Sequence, residues 1–236
     1  MWNFRLFIEN SRGTHHMAQA KVLSKRQLNR VLDTCLLMSN SAQKRAVLAL
    51  SFSSLRKTEI SRIIVSDLLT KSGRIKDEIY IRADIAKGCR PRHVWLSKNA
   101  KELIQEYIDE RVTRRLGINT GTRKYQGLNP NSCFIFSGRG APYSMKIKTK
   151  YNCQGEPVRY ESCDSLEAEV RRIFKRCGLK GCSSHSGRRS RATELNRQHI
   201  DLTIISKMLD HADEQVSLRY IEISEHQMQR VFELAL

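Results

Sequence analysis

Residues 184–195 read SHSGRRSRATEL and place His185 and Arg188 three positions apart at the start of a predicted helix. Side chains at positions i and i+3 share one face of a helix, so the two groups would point the same way. An imidazole exchanges a proton near neutral pH, and a guanidinium binds a phosphate through two parallel hydrogen bonds. The pattern is weak by itself, because a solvent-exposed helix end can also carry it.

Positive charge surrounds this stretch. Residues 171–191 hold eight Lys or Arg and no Asp or Glu, and the 236-residue chain holds 42 basic and 24 acidic residues, a formal charge of +18. Basic residues also predominate in residues 82–92, 111–124 and 139–159, whereas the section from residue 192 onward has eight acidic and four basic residues. One basic run usually marks a solvated face. Four runs predict a surface that binds the phosphates of a nucleic acid.

The composition excludes several classes of protein. Hydrophobic residues make up 40% of the chain, which excludes disorder throughout. The longest apolar run, residues 46–50, is too short to span a membrane. Seven cysteines without regular spacing do not indicate a disulfide scaffold, and Cys177 and Cys182 near His185 lack the C-x-x-C partner of a zinc site. We therefore expect a soluble protein of a reducing compartment, with free or buried thiols in place of a zinc site.

Helical patterns dominate the chain. Ser24 and Gln27 predict a capping box, Ser97 is placed to cap another helix, and Asp164 with Glu167 predicts a second capping box. Further helices are predicted at residues 46–52, 55–65, 187–197, 202–209 and 216–223, and over the last dozen residues.

Strand character is limited to a small part of the sequence. Residues 79–81 and 93–96 flank a turn at Lys87 and Gly88 and predict one small antiparallel sheet. Residues 116–163 are rich in Gly and Pro and are predicted to be loop-like, with a solvated β-hairpin or a flexible loop around their lysines and tyrosines. The predicted fold is mainly α with a small antiparallel β-sheet. We expect one domain at residues 21–224, followed by a C-terminal helix at 225–236. The tail at residues 1–20 is typical of translation that starts upstream of the working protein.

A tyrosine near the end of the chain is a candidate nucleophile. Tyr220 follows His211 by nine residues, after the segment Leu209-Asp210-His211. A phenol with a pKa near 10 attacks poorly until nearby cations stabilise its phenolate. Taken alone, Tyr220 is better interpreted as a core residue of an amphipathic helix.

The motifs gain meaning in combination. Residues 55–60 (LRKTEI), the Lys87-Gly88 turn, residues 134–144 (FIFSGRGAPYS), residues 184–195 and the segment from Leu209 to Tyr220 follow one another in order. In this order the chain resembles the catalytic domain of the tyrosine recombinases, the phage-integrase family. The resemblance covers roughly residues 24–223 and implies the DNA breaking-rejoining catalytic fold.

The resemblance also implies roles for individual residues. Tyr220 would attack the scissile phosphate and form a 3′-phosphotyrosyl bond, with Lys87 protonating the leaving 5′-oxygen. Arg56 and Arg188 would bind the non-bridging oxygens, His185 and His211 would complete the pocket, and Glu59 would steady it. Two guanidiniums that remain charged would make a metal unnecessary. The resemblance also implies a cytoplasmic, nucleoid-associated protein that uses no cofactor. The basic residues expected to contact DNA are Arg90, Arg92, Arg123, Lys124, Lys146, Lys148, Arg189 and Arg191.

The sequence departs from the family pattern at four places, one of which is the segment at residues 116–163, longer and more basic than the resemblance implies. Ser53 and Ser54 stand where the family usually has a glycine before Arg56, and Asp210 stands where glycine usually precedes His211. About twenty residues precede the catalytic-type domain, where the family usually has a core-binding domain that closes a clamp around DNA.

The leading hypothesis is a site-specific recombinase or integrase of a mobile element. A type IB topoisomerase-like nicking-closing enzyme and a non-cutting DNA-binding accessory module are the alternatives. The complete catalytic set argues against the module, whereas the missing clamp domain favours it. The expected partners are double-stranded DNA and further copies of the chain, in a tetramer whose C-terminal tails dock on neighbouring subunits.

Overall fold

The computed structural model describes residues 19–152, 154–210, 214–218 and 220–221. Its first helix, α1 (Lys25–Leu36), begins at Ser24 with the predicted capping box, in which the Ser24 hydroxyl accepts from the Gln27 main chain and the Gln27 side chain accepts from Ser24 N–H. Helix α2 (Ser41–Phe52) starts five residues before the predicted 46–52. Helix α5 (Lys98–Thr113) is capped by Ser97, as predicted.

The helix predicted for residues 55–65 is wrong, because two short helices stand there: α3 (Lys57–Arg62) and α4 (Val65–Leu68). The break at Ile63 and Ile64 has a long-range cause. Ile63 O accepts from Phe134 N–H at 2.7 Å, and the Ile64 N–H donates to Asp67 Oδ2 at 3.0 Å. Main-chain groups that pair with a distant segment cannot also continue a helix.

The predicted sheet is confirmed as a two-stranded antiparallel hairpin. Strand β1 (Glu78–Ile81) pairs with β2 (Arg92–Trp95), so that Tyr80 lies opposite His93. A short 3-10 turn at Lys87–Cys89 lies in the connection, and Gly88 adopts a φ of +69° that favours glycine. The turn holds Lys87 at the end of this hairpin.

A second antiparallel hairpin lies within the segment predicted to be loop-like. Strand β3 (Lys146–Tyr151) pairs with β4 (Pro157–Ser162), with Lys148 opposite Tyr160, which confirms the hairpin alternative. Nearly every residue of the two strands is exposed. A strand without a buried face has no apolar alternation, which is why the sequence pattern left hairpin and loop equally possible.

Four helices complete the described chain: α6 (Asp164–Arg176), α7 (Ser186–Arg197), α8 (Leu202–Leu209) and α9 (Glu214–Leu218). Helices α7 and α8 agree with prediction, while α9 is shorter than the predicted 216–223. The capping box at Asp164 is wrong, because Cys163 is the N-cap and the Asp164 carboxylate instead binds Ser162 Oγ and Lys148. The predicted helix at the chain end lies outside the described residues.

Among the described residues the packing forms one large core and two small clusters, one of which joins α2 and α5 through Ala49, Ala100 and Leu103. The large core joins α1, α2, α5 and α6 around buried residues such as Leu48, Ile104, Phe134 and Phe174. The other small cluster joins α7 and α8 through Ala192, Ile205 and Leu209, with Tyr220 packed against it. None of the described helices is long and apolar enough to cross a membrane.

Gly187 allows α7 to lie against the end of α2. A Cβ at this position would come within 2.5 Å of Phe52 Cδ1 and 2.9 Å of Ser51 Oγ. The close approach fixes the start of α7, and therefore the neighbouring Arg188, relative to α2.

We predict that Gly187→Ala lowers the free energy of unfolding by about 1–3 kcal/mol, because the added methyl group overpacks the contact. Gly121→Ala is the matched control, since its Cβ would meet no atom closer than 3.8 Å. Denaturant unfolding of both variants is the measurement. Equal stability of the two would show that the contact between α7 and α2 is loose.

Candidate active site

The site is built around a carboxylate at the start of α3. Glu59 has no exposed surface, and its two oxygens accept from Arg92 Nη1 and Nη2, each at 2.7 Å. The same carboxylate accepts from the Arg56 main chain at 2.7 Å and from Arg56 Nη1 at 3.0 Å. Burial raises the pKa of Glu59, but the hydrogen bonds and charges of Arg92 and Arg56 outweigh burial and lower that pKa below its usual value.

Arg92 therefore differs from its predicted role at the DNA surface. Its residue surface is only 8% exposed, and both terminal nitrogens bind Glu59 inside the protein. One of them also donates to Ser54 O at 3.3 Å. The basic run in which Arg92 lies suggested a solvated cation, but a guanidinium at a strand position facing the core is buried with its partner.

Two guanidiniums meet at one main-chain oxygen. Arg188, 1% exposed on α7, donates from Nη2 to Leu209 O and from Nη1 to Ser54 O. Arg56 Nη2 donates to the same Leu209 O at 3.3 Å. Burial, followed by the charge of Arg56, lowers the pKa of Arg188 to about 10, so that Arg188 is still cationic at neutral pH.

The turn before Arg56 keeps an unusual backbone despite its serines. Ser54 has a φ of +74°, in the left-handed region that glycine favours. Its carbonyl accepts from both Arg92 and Arg188, and those two bonds orient the turn. The turn at Ser53 and Ser54 therefore has the backbone conformation that the family's usual glycine would favour.

Lys87 lies within electrostatic reach of both guanidiniums, and His185 lies within reach of Arg188. Burial lowers the pKa of Lys87, and the charges of Arg56, Lys150 and Arg188 lower it further. Burial also lowers the pKa of His185, the N-cap of α7, and the charge of Arg188 adds to this, whereas Glu167 opposes it. A lysine that gives up its proton more readily and a neutral imidazole suit proton transfer.

Tyr220 belongs to the same site. Its side chain packs against the cluster of Ala192, Ile205 and Leu209, its carbonyl accepts from Thr193 Oγ1 at 3.3 Å, and its phenol group interacts electrostatically with Arg188. The structure thus brings together five of the six predicted catalytic residues: Arg56, Lys87, His185, Arg188 and Tyr220. The sixth, His211, lies outside the described residues.

Glu167 and Lys57 join the site without having been predicted. Glu167 accepts from the Ser184 hydroxyl and lies 3.3 Å from Lys57 Nζ. Burial raises the pKa of Glu167, but the Ser184 hydrogen bond and the charge of Lys57 outweigh it and lower the pKa. Lys57 lies inside the motif at residues 55–60. No local sequence pattern indicates that Glu167 belongs to the site, because its partners Ser184 and Lys57 are distant in sequence.

The family of the chain is established by its sequence. Residues 21–227 match the model of the phage integrase family. The chain belongs to the phage integrase family. Among curated relatives it is similar to transposase A from transposon Tn554 of Staphylococcus aureus, at 24% identity over 219 residues, covering 91% of this chain and 52% of the relative. The chain spans about half the length of the curated relatives it matches.

Solved structures of recombinases share the fold. The chain is similar to the XerA recombinase, with a TM-score of 0.64 and 16% identity over 98% of this chain and 69% of that one. It is also similar to the XerH site-specific recombinase bound to its palindromic difH substrate, with a TM-score of 0.59 and 20% identity over 89% of this chain and 51% of that one. At these identities the likeness shows the fold, which confirms the predicted fold class.

The remaining predicted DNA-contact residues differ in how exposed they are. Arg189 is partly buried and donates to Ala20 O, so it fastens the start of the described chain to α7 in place of its expected role. Lys148 is partly exposed and lies 2.8 Å from Asp164. The others are exposed and accessible to a ligand: Arg90, Arg123, Lys124, Lys146 and Arg191.

We predict that Glu59→Gln lowers the free energy of unfolding at neutral pH by about 3–5 kcal/mol, because it removes the carboxylate that accepts from both terminal nitrogens of buried Arg92. Glu102→Gln, at an exposed position of α5, is the matched control. Because the folded-state pKa of Glu59 is lowered, its contribution is full above the unfolded pKa of about 4.3 and is lost as the pH falls through the folded value. In urea unfolding the difference between variant and native chain should therefore shrink in acid; a constant difference would contradict the pairing.

Proposed function

We propose that the chain cuts and rejoins duplex DNA as a site-specific recombinase, through a covalent 3′-phosphotyrosine intermediate on Tyr220. The observation that supports this most strongly is the meeting of Arg56 and Arg188 at Leu209 O, with Tyr220 and Lys87 within electrostatic reach. Two adjacent guanidiniums, held in place by buried partners, match the oxygens of a phosphodiester.

The proposed reaction divides the work among these residues. The Tyr220 oxygen attacks phosphorus, the bond from phosphorus to the 5′-oxygen breaks, and Lys87 gives its proton to that leaving oxygen. Neutral His185 accepts a proton as the phenol is consumed. Arg56 and Arg188 stabilise the negative charge that gathers on the phosphorane, and losing one such donor typically costs about 3–4 kcal/mol of transition-state stabilisation.

The reverse reaction rejoins the strand. A 5′-hydroxyl attacks the phosphotyrosine and releases Tyr220, so the energy of the original phosphodiester is kept and no nucleotide cofactor is required. Fixed positive charge from the guanidiniums takes the part that metal ions play in two-metal nucleases. We therefore propose chemistry that uses neither metal nor cofactor.

The β3–β4 hairpin extends the proposed DNA surface from the site. Its Lys150 lies close enough to Lys87 to lower the pKa of that residue, and Arg62 of α3 binds Glu161 of β4 at 2.5 Å. The β3–β4 hairpin is therefore joined to α3, the helix whose N-cap is Arg56. A two-stranded ribbon fits the major groove of B-DNA, and exposed lysines beside exposed Ile147 and Tyr151 suit phosphate and base contacts.

Assembly is part of the proposal as well. Recombination exchanges strands between two duplexes, so we propose that several copies of the chain act together on DNA, as a tetramer. The segment at 225–236, predicted to connect neighbouring subunits, lies outside the described residues.

Tyr220→Phe should abolish the covalent adduct and leave DNA binding nearly unchanged, because only one hydroxyl group is lost. The assay uses a pool of nicked suicide duplexes of random sequence, with covalent protein–DNA adducts resolved on a denaturing gel. Tyr80→Phe, on the exposed face of β1, is the control and should form the adduct normally. A chelator should not reduce adduct formation.

An adduct that persists in Tyr220→Phe would place the nucleophile elsewhere. Relaxation of supercoiled plasmid by a Tyr220-dependent adduct, without strand exchange, would favour the topoisomerase-like alternative. DNA binding without any adduct would favour the non-cutting module.

Replacing Lys146 and Lys150 with Gln should weaken binding to non-cognate duplex and reduce the slope of log K against log salt concentration by roughly 2, since each phosphate contact contributes about 0.9. The control replaces Lys71 and Lys98, two exposed lysines outside the four basic runs. Fluorescence anisotropy at several salt concentrations is the measurement. An equal effect of both double variants would show that the hairpin has no special place in DNA binding.

A further inference from the structure

A protein carboxylate lies among the cations proposed to bind the scissile phosphate. Asp210 Oδ2 is 3.0 Å from Arg56 Nη1 and 3.8 Å from Arg92 Nη1. Asp210 is the C-cap of α8, in the left-handed region with a φ of +54°, and this backbone turns its own carbonyl toward Arg56 Nη2, at 3.2 Å. Both the side chain and the main chain of Asp210 thus bind the same guanidinium.

These contacts use all the terminal hydrogen-bonding capacity of Arg56. Nη1 donates to Glu59 and to the Asp210 carboxylate, and Nη2 donates to the carbonyls of Leu209 and Asp210. Each terminal nitrogen of a guanidinium carries two hydrogens. A phosphate oxygen can therefore be gripped by the fork of Arg56 only if one of these four acceptors leaves.

Arg188 is in a different state. Each of its terminal nitrogens donates to one carbonyl, and its buried Nε has no acceptor among the described residues. The guanidinium therefore retains donors that no described residue takes up. Among the described residues, an anion accepts from Arg56 but none accepts from Arg188.

The Asp210 carboxylate is the acceptor that can leave most easily. Glu59 is fully buried and bound by two arginines, and the carbonyls of Leu209 and Asp210 belong to the main chain. The Asp210 side chain is 16% exposed and stands at the end of a helix. Its departure exchanges one anion for another at Arg56, so that no buried cation is left unpaired.

We propose that Asp210 competes with the scissile phosphate for Arg56, so that the carboxylate holds the phosphate position until DNA displaces it. This inference rests on the proposed function, since it concerns the same pocket. It explains what a negative charge does at a position where the family usually has glycine. Asp210 would thereby set how readily the site accepts a phosphate and suppress binding of stray anions.

The test is a titration of the full chain with inorganic phosphate, followed by calorimetry. Asp210→Asn keeps the shape of the side chain and tolerates the left-handed backbone while removing the charge. It should bind phosphate roughly tenfold more tightly, as expected for removing one competing charge-assisted hydrogen bond. Asp33→Asn, at an exposed position of α1, makes the same charge change and should bind like the native chain.

Further variants localise the effect. Asp210→Gly should show the same gain in phosphate affinity. This variant replaces Asp210→Asn in the titration if the Asn side chain lowers the thermal stability of the protein. The gain should disappear when Arg56→Ala is added to Asp210→Asn, because the two residues act as a pair.

Three results would overturn the inference: affinity equal to that of Asp33→Asn, affinity weaker than that of the native chain, or a gain that persists without Arg56. Weaker affinity would identify Asp210 as a residue that positions Arg56. Since phosphate binding requires no strand cleavage, failure of Tyr220 to form an adduct would leave this result unaffected and can be recognised separately.

Discussion

A buried carboxylate must be paired, and the pairing of Glu59 organises the site. Moving an unpaired carboxylate out of water is costly, so Glu59 is stable in the core only with Arg92 and Arg56 in place. Arg92 comes from β2 and Arg56 from the start of α3, so one carboxylate joins the β1–β2 hairpin to the helix. The pairing of Glu59 with Arg92 thus fixes the β1–β2 hairpin, which also carries Lys87.

The pairing leaves a surplus of positive charge. The guanidiniums of Arg56, Arg92 and Arg188 lie near one carboxylate with no exposed surface, that of Glu59. Arg56 and Arg92 donate to it, whereas Arg188 donates to the carbonyls of Ser54 and Leu209. Burial and mutual repulsion lower the pKa of Arg188 and of Lys87. A site with such a surplus gains most from a ligand that brings negative charge, and in this structure Asp210 supplies part of it. A phosphodiester, the substrate that we propose, brings such a charge.

Local patterns predicted the elements whose cause is local. The caps at Ser24 and Ser97 and the helix at 202–209 follow from neighbouring residues, and so does the turn at Lys87. The proposed catalytic set was predicted by resemblance, and five of its members lie together, whereas spacing alone could not predict that Arg56 contacts Leu209 and Asp210, more than 150 positions away.

The failures have long-range causes. The helix expected at 55–65 breaks because Ile63 pairs with Phe134, and Arg92 turns inward because Glu59 is there to receive it. The partners that hold Glu167 at the site are distant in sequence, and Arg189 donates a hydrogen bond to Ala20 O. None of these contacts has a periodic signature, since each depends on how separate elements pack.

The most direct measurement of the central claim identifies the atom that holds the DNA. Trapped protein–DNA adduct is digested with protease and nuclease, and the modified peptide is sequenced by mass spectrometry. The account predicts a nucleotide attached through its 3′-phosphate to Tyr220. A nucleotide on another tyrosine, such as Tyr143 or Tyr160, or attachment through a 5′-phosphate, would contradict it.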